Sequence, residues 1–134
     1  MKFSKSTLYA LYAALELAAA DDPVTVASVA ERFDLPPGAL AKVFQQLVRA
    51  DLAIGARGVG GGYRLAKPAS EITVLDVISV FDAPGRNGHF LLGERSEAAR
   101  EQATDARLSR LFDEVAEVVS CTFASVTLET LARS

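Results

Sequence analysis

PGALAKVFQQLVRADLAIGARGVGGGYRLA, residues 37–66, decides the reading of the chain. Its first half is a helix by spacing. Leu40, Val43, Phe44, Leu47 and Val48 recur at steps of three and four and so share one face. Pro37 suits the first turn, where its missing N–H is not needed. Ala41, Lys42, Gln45, Gln46 and Arg49 then face outward. After Leu52 the period changes. Ala53–Arg57 and Tyr63–Ala66 read as two short strands, and Gly58-Val59-Gly60-Gly61-Gly62 between them reads as a flexible hairpin tip.

Two helices precede this stretch. Lys5–Ala20 carries Leu8, Leu11, Tyr12, Leu15 and Ala19 on one face and is stopped by Asp21-Asp22-Pro23. Thr25 is the expected cap of Val26–Phe33, with Val26, Val29, Ala30 and Phe33 inward. Three helices followed by a hairpin are the order of a winged helix-turn-helix. The fold class expected is therefore mainly α with a small β-hairpin.

Beyond the hairpin, Ile72-Thr73 reads as a short edge strand. Thr73 then caps a helix Val74–Ala83 with Leu75, Val77, Ile78 and Phe81 inward. Ala83–Gly93 reads as a loop, and Glu94–Asp105 as polar and helical by propensity with almost nothing to bury. A stripe from Leu108 to Val126 then predicts a helix over about Asp105–Ser125, closed by a helical turn at 127–131. The organisation expected is a winged domain over 1–83, a linker over 84–104, and a dimerisation helix with its final turn over 105–134. The stripe either folds back on its own domain or forms a seam with a second copy. Its length and isolation favour the seam, with Leu108, Leu111, Phe112, Val115, Val119 and Phe123 as the interface.

The composition bounds the alternatives. The 134 residues are half hydrophobic and 23% charged, so the chain is one globular domain in scale and not a disordered tract. No apolar run approaches the ~20 residues of a membrane span, and no basic segment with a cleavage site precedes Leu8–Ala20, so no signal peptide is expected. One cysteine and one histidine allow no internal disulfide and no Cys/His metal site within one chain. A reducing cytoplasm is the compartment expected. No nucleophile–base pair is apparent, so an enzyme is not expected. Gly60-Gly61-Gly62 is followed by Tyr63-Arg64 rather than by Lys-Ser or Lys-Thr, so the phosphate-loop motif is absent. Charge is uneven: residues 1–68 hold eight Lys/Arg against six Asp/Glu, and residues 69–134 hold six against eleven.

A basic front points to a polyanion there. Glutamine pairs bidentately with adenine, and lysine or arginine with guanine or phosphate, in a groove wide enough for a helix. The DNA-contact residues expected are Gly38, Lys42, Gln45, Gln46 and Arg49 on the third helix. Lys5 at the start of the first helix joins them, as do Arg57, Gly60 and Gly61 at the hairpin tip, where backbone and arginine can approach the minor groove. The rival reading is a winged module that docks a protein; the outward cations and glutamines favour DNA.

The chain resembles the Rrf2 family of bacterial winged-helix regulators. The resemblance rests on Tyr9-Ala10-Leu11, Val29-Ala30-Glu31-Arg32, Leu40 and Leu47. It is closest at the wing Arg57-Gly58-Val59-Gly60-Gly61-Gly62-Tyr63, and continues through Glu71–Ile78 and Val126–Leu131. It implies a homodimer that binds an operator, usually as a repressor, with a long helix crossing its twin and Arg57 in the minor groove. Many members carry three cysteines between the fourth helix and the dimer helix, which hold an iron–sulfur cluster. Asp82–Arg107 contains no cysteine, so no cluster and no cofactor is expected here. Asp51 stands where the family often has glycine, so the turn there is expected to differ. Val59 replaces a frequent proline, and Ala39 a frequent tyrosine, so the operator is expected to be its own.

The signal is expected to enter through the linker. An apolar trio, Phe90, Leu91 and Leu92, stands in a polar segment beside His89, and a small molecule or partner protein binding there would alter the spacing of two recognition helices. His89 is either a solvated loop residue or a sensor. Cys121 is either an inert small residue or a thiol reachable by oxidants, since it lies away from the apolar stripe near Arg110, Glu114 and Glu117.

Overall fold

The structure is a computed structural model that describes residues 3–58, 61–82 and 89–133. Its helices are α1 (Lys5–Ala19), α2 (Val26–Phe33), α3 (Pro37–Arg49), α4 (Val74–Ile78), α5 (His89–Leu92), α6 (Glu97–Arg100), α7 (Ala103–Ala124) and α8 (Leu128–Ala132). Strands β1 (Ala53–Gly55) and β2 (Tyr63–Leu65) follow α3, and a single 3-10 turn covers Ala69–Glu71. Ser4, Thr25, Thr73, Ser96 and Thr127 each cap a helix through a side-chain oxygen that accepts a backbone N–H. At Thr73 the cap is reciprocal, because Asp76 also accepts from the Thr73 N–H at 2.9 Å.

Helix α1 buries a different face from the one its large residues predict. Thr7, Ala10, Ala13, Ala14 and Leu17 are buried, whereas Leu8 is 46% exposed, Leu11, Tyr12 and Leu15 are half-buried, and Ala19 is exposed. The reason is steric. α1 packs against α3 and α4 at once, and small side chains let the backbones approach while bulk is displaced to the flanks. The buried hydroxyl of Thr7 is satisfied by donating to Asp82 Oδ2 at 2.5 Å. The Ser4 N–H and Ser4 Oγ reach the same oxygen at 3.1 and 3.2 Å. Phe44, Leu40, Leu47, Ile72, Ile78 and Leu128 are among the largest fully buried side chains. Leu128 brings the end of the chain into the same core as α1–α4.

The hairpin is antiparallel, with Ala53 opposite Leu65, Ile54 opposite Arg64 and Gly55 opposite Tyr63. It is shorter than the expected Ala53–Arg57 and Tyr63–Ala66. Val24 joins it as a third edge, donating to the Tyr63 carbonyl at 2.9 Å and accepting from the Tyr63 N–H at 2.8 Å. That close approach needs a glycine next door. Gly62 has φ +116, and a Cβ there would lie 2.9 Å from the Val24 carbonyl oxygen.

Four other expectations are corrected. Ile72-Thr73 forms no strand; Thr73 instead bridges Thr127. α4 ends at Ile78, after which Val80 and Phe81 donate to the carbonyls of Val77 and Ile78 in tighter turns; Ala83 lies outside the described residues. The expected loop before Gly93 contains α5, whose Leu91 and Leu92 are half-buried. Asp51 does not change its turn. It adopts φ +61, the left-handed conformation a glycine would supply, which aspartate tolerates better than most residues. The Asp51 and Leu52 amides donate to Val48 and Leu47 at 3.0 Å each, closing α3 as a Schellman turn.

Candidate nucleic-acid interface

Helix α3 divides cleanly. Leu40, Val43, Phe44 and Leu47 are buried. Gly38, Lys42, Gln45 and Arg49 are exposed, and Gln46 is half-buried. No carboxylate occurs anywhere in α3. The Phe44 ring stacks on Tyr63 with centroids 4.7 Å apart, which fixes the angle between α3 and the hairpin. Between them lies an open groove of about 300 Å³, lined by Gln45, Val48, Arg49, Gly55 and Tyr63.

Arg57 is exposed just past β1, and Lys5 is exposed in the first turn of α1. Gly61, at φ +59, is exposed and donates its N–H to Gly58 at 3.1 Å. Gly60 lies outside the described residues. Among the described residues, Lys5, Lys42, Arg49 and Arg57 have no ion-pair partner. Arg32, Arg95 and Arg133, on other elements, are paired with Glu16, Asp105 and Glu129. Among the described residues, Arg64, Lys67, Arg100, Arg107 and Arg110 also lack ion-pair partners, so what marks α3 is that its two cations stand beside an exposed glutamine on a helix with no carboxylate.

Helix α7 also divides, in a way the single stripe did not foretell. Ala116 is its one fully buried residue, and Asp105, Ser109, Phe112, Val119 and Phe123 on the same face are half-buried. That face packs on α4 and α5, and the Phe123 ring lies 5.8 Å from Phe3. Leu108, Leu111, Val115 and Val118 form a second row that is exposed. At 100° per residue, the two rows are centred roughly 100° apart. Of the expected interface residues, Leu108, Leu111 and Val115 thus lie on the open row, and Phe112, Val119 and Phe123 on the inward one. His89 stands in α5. Cys121 is exposed on α7, its thiol 3.9 Å from Glu117 Oε1.

Sequence reasoning missed the Thr7–Asp82 bond, the Phe44–Tyr63 stack and an Arg95–Asp105 pair. Two of them join residues far apart in the chain, and none has a local spacing signal.

Residues 3–134 match the Rrf2 family, described as iron-dependent transcriptional regulators. The chain belongs to the Rrf2 family. It is 36% identical over 135 residues to the HTH-type transcriptional regulator BadM of Rhodopseudomonas palustris, covering 99% of this chain and 82% of BadM. It is 37% identical over 86 residues to the HTH-type transcriptional regulator IscR of Cereibacter sphaeroides, a match over 61% of this chain and 56% of that protein. The chain thus spans about half the length of IscR. Among solved structures, the oxidised form of Staphylococcus aureus CymR superposes with a TM-score of 0.79 at 27% identity, over 100% of this chain and 98% of that one. This Rrf2 protein is a DNA-binding transcriptional regulator with a winged helix-turn-helix fold, not an enzyme. The protein-docking rival falls with that assignment. Among the described residues, no helix is long and apolar enough to cross a membrane.

The family description includes iron, and this chain's donors do not fit a thiolate-held cluster. Its one cysteine, Cys121, projects from the exposed side of α7, and its one histidine is His89. Among the described residues, no three His, Cys, Asp or Glu side chains stand close enough to hold a metal ion.

Proposed function

We propose that this Rrf2 regulator acts in the cytoplasm as a homodimer that reads an operator of two half-sites and represses transcription by occupying it. The observation that carries the dimer is the open row on α7. Leu108, Leu111, Val115 and Val118 are 45, 53, 42 and 66% exposed. Their alternating steps of three and four are the spacing of a two-helix seam. A row of large apolar side chains along one helix needs a cover, and a second copy of the same helix matches its shape and chemistry.

Each copy would then present one α3. Gln45 would read adenine, with Lys42 and Arg49 on guanine or phosphate. Arg57 follows the wing into the minor groove, Gly38 and Gly61 allow close backbone approach, and Lys5 meets phosphate. An effector, a small molecule or a partner protein, would act by changing the spacing of the two α3 helices through the segment at 89–92. It does so only by binding one spacing more tightly than the other.

Binding-site selection from genomic fragments, followed by footprinting, tests the reading. The expected result is a near-palindromic site whose half-sites lie about 34–36 Å apart, one helical turn. A single unpaired half-site protected by one chain would contradict it.

A further inference from the structure

Arg95 stands in the short stretch between α5 and α6, and its guanidinium is turned into the protein. Nη1 donates to Ser109 Oγ at 3.1 Å. Nε lies 3.1 Å from Asp105 Oδ1, off the line of its N–H, so that contact is a charge pair rather than an aligned hydrogen bond. Ser109 Oγ in turn donates to Asp105 Oδ2 at 3.4 Å, completing a three-residue network. The Arg95 and Asp105 side chains are 22 and 13% exposed, so the pair is largely withdrawn from water. Asp105 and Ser109 lie one turn apart at the start of α7, on the face turned toward the chain's own domain.

What the network holds has little stability of its own. α6 is four residues long and buries none of them. So short a helix does not persist unaided in water, because nucleation is unfavourable. Gly93, at φ +74, turns the chain between α5 and this segment. Among the described residues from 93 to 102, Arg95 supplies the side-chain hydrogen bond that reaches α7. At the other end of the connector, Asp82 is held to α1 by Ser4 and Thr7. Asp82 is thus tied to α1, and the segment 93–102 is tied to α7 at Arg95.

We propose that Arg95 is a latch: its guanidinium occupies Asp105 and Ser109 and holds residues 93–102 against α7. Because the donors present among the described residues do not fit a metal cluster, operator binding by this chain depends on this internal cation and not on iron. Arginine suits the role because it stays charged and its planar fork addresses two partners at once, which the point charge of lysine does less well. The effect on DNA rests on the reading of α7 as a seam, since a connector fixed on α7 sets where each winged domain sits. The latch itself does not rest on that reading.

Amide hydrogen exchange on the full chain tests it. The Arg100, Glu101 and Gln102 amides donate to the carbonyls of Ser96, Glu97 and Ala99 and report directly on α6. In Arg95→Met these three exchange at least about tenfold faster, because Asp105 is left unpaired away from water. The Leu52 amide, bonded to Leu47 in the core, keeps its rate. Arg95→Lys gives an intermediate rate, and the milder Ser109→Ala moves the same three amides by less. Unchanged exchange in Arg95→Met, or equal acceleration at Leu52 in both Arg95→Met and Ser109→Ala, overturns the latch. In a second arm, operator affinity of the unsubstituted protein stays within about twofold when ferrous ion is added or chelated, and Arg95→Met weakens it about tenfold. Iron-dependent affinity, or wild-type affinity in Arg95→Met, overturns the coupling to DNA. If the unsubstituted protein binds no selected duplex, the functional reading above fails, and the exchange arm alone decides the latch.

Discussion

Helices α3 and α7 solve opposite problems. In α3, four of 13 residues are buried and the outward side chains are chiefly polar or cationic, so its apolar demand is met inside the chain. In α7, one of 22 residues is buried and four large apolar side chains remain open. An amphipathic helix whose stripe is covered by its own domain is free to offer its other face to a polar ligand. One whose stripe is left open is completed by something outside the chain. On the proposed function, the difference separates a reading helix from an assembling one within a single fold.

Val115→Asp places a charge in the proposed seam of each copy, where an unpaired buried charge costs about 3–5 kcal/mol. Sedimentation should show a dimer converted to monomer at micromolar concentration while the far-UV spectrum is retained. Leu47→Ala acts on the closed side. Leu47 is 1% exposed, and the cavity left should lower unfolding free energy by about 2–5 kcal/mol in denaturant titrations, with little effect on dimerisation once folded.

Smaller effects sharpen the contrast on the outward face of α3. Gln45→Ala should lose about 1–3 kcal/mol of operator affinity and relax preference at one base position, whereas Lys42→Ala should weaken all sequences alike and reduce the salt slope by about one. Quantitative mobility shifts on matched and single-mismatch duplexes separate the two. The least effect is expected at Thr73→Ala, which removes one half of the capping box at α4 and should cost about 1 kcal/mol of stability.

The sequence made α2, α3 and the hairpin legible because each combines a strong period with punctuation: Thr25, Pro37, and the glycines of 58–62. It made α7 legible as a helix but not the division of its stripe. Periodicity says which residues share a face and not which neighbour covers it. In α1 the largest apolar residues misdirected the reading, because close helix packing is carried by Ala10, Ala13 and Ala14. α5 was hidden because four residues carry no period. Of the site, the outward side chains of α3 could be named from spacing alone. The Arg95–Asp105–Ser109 network could not, because it depends on a connector folding back onto α7.

In the proposed assembly, two copies joined through α7 present two α3 helices to one duplex. Sedimentation of the protein with its selected operator at several salt concentrations tests it most directly. Two chains per duplex are expected, with affinity falling steeply and linearly on a log–log plot as phosphate contacts are lost to counterions. One chain per duplex, or affinity indifferent to salt, would contradict it.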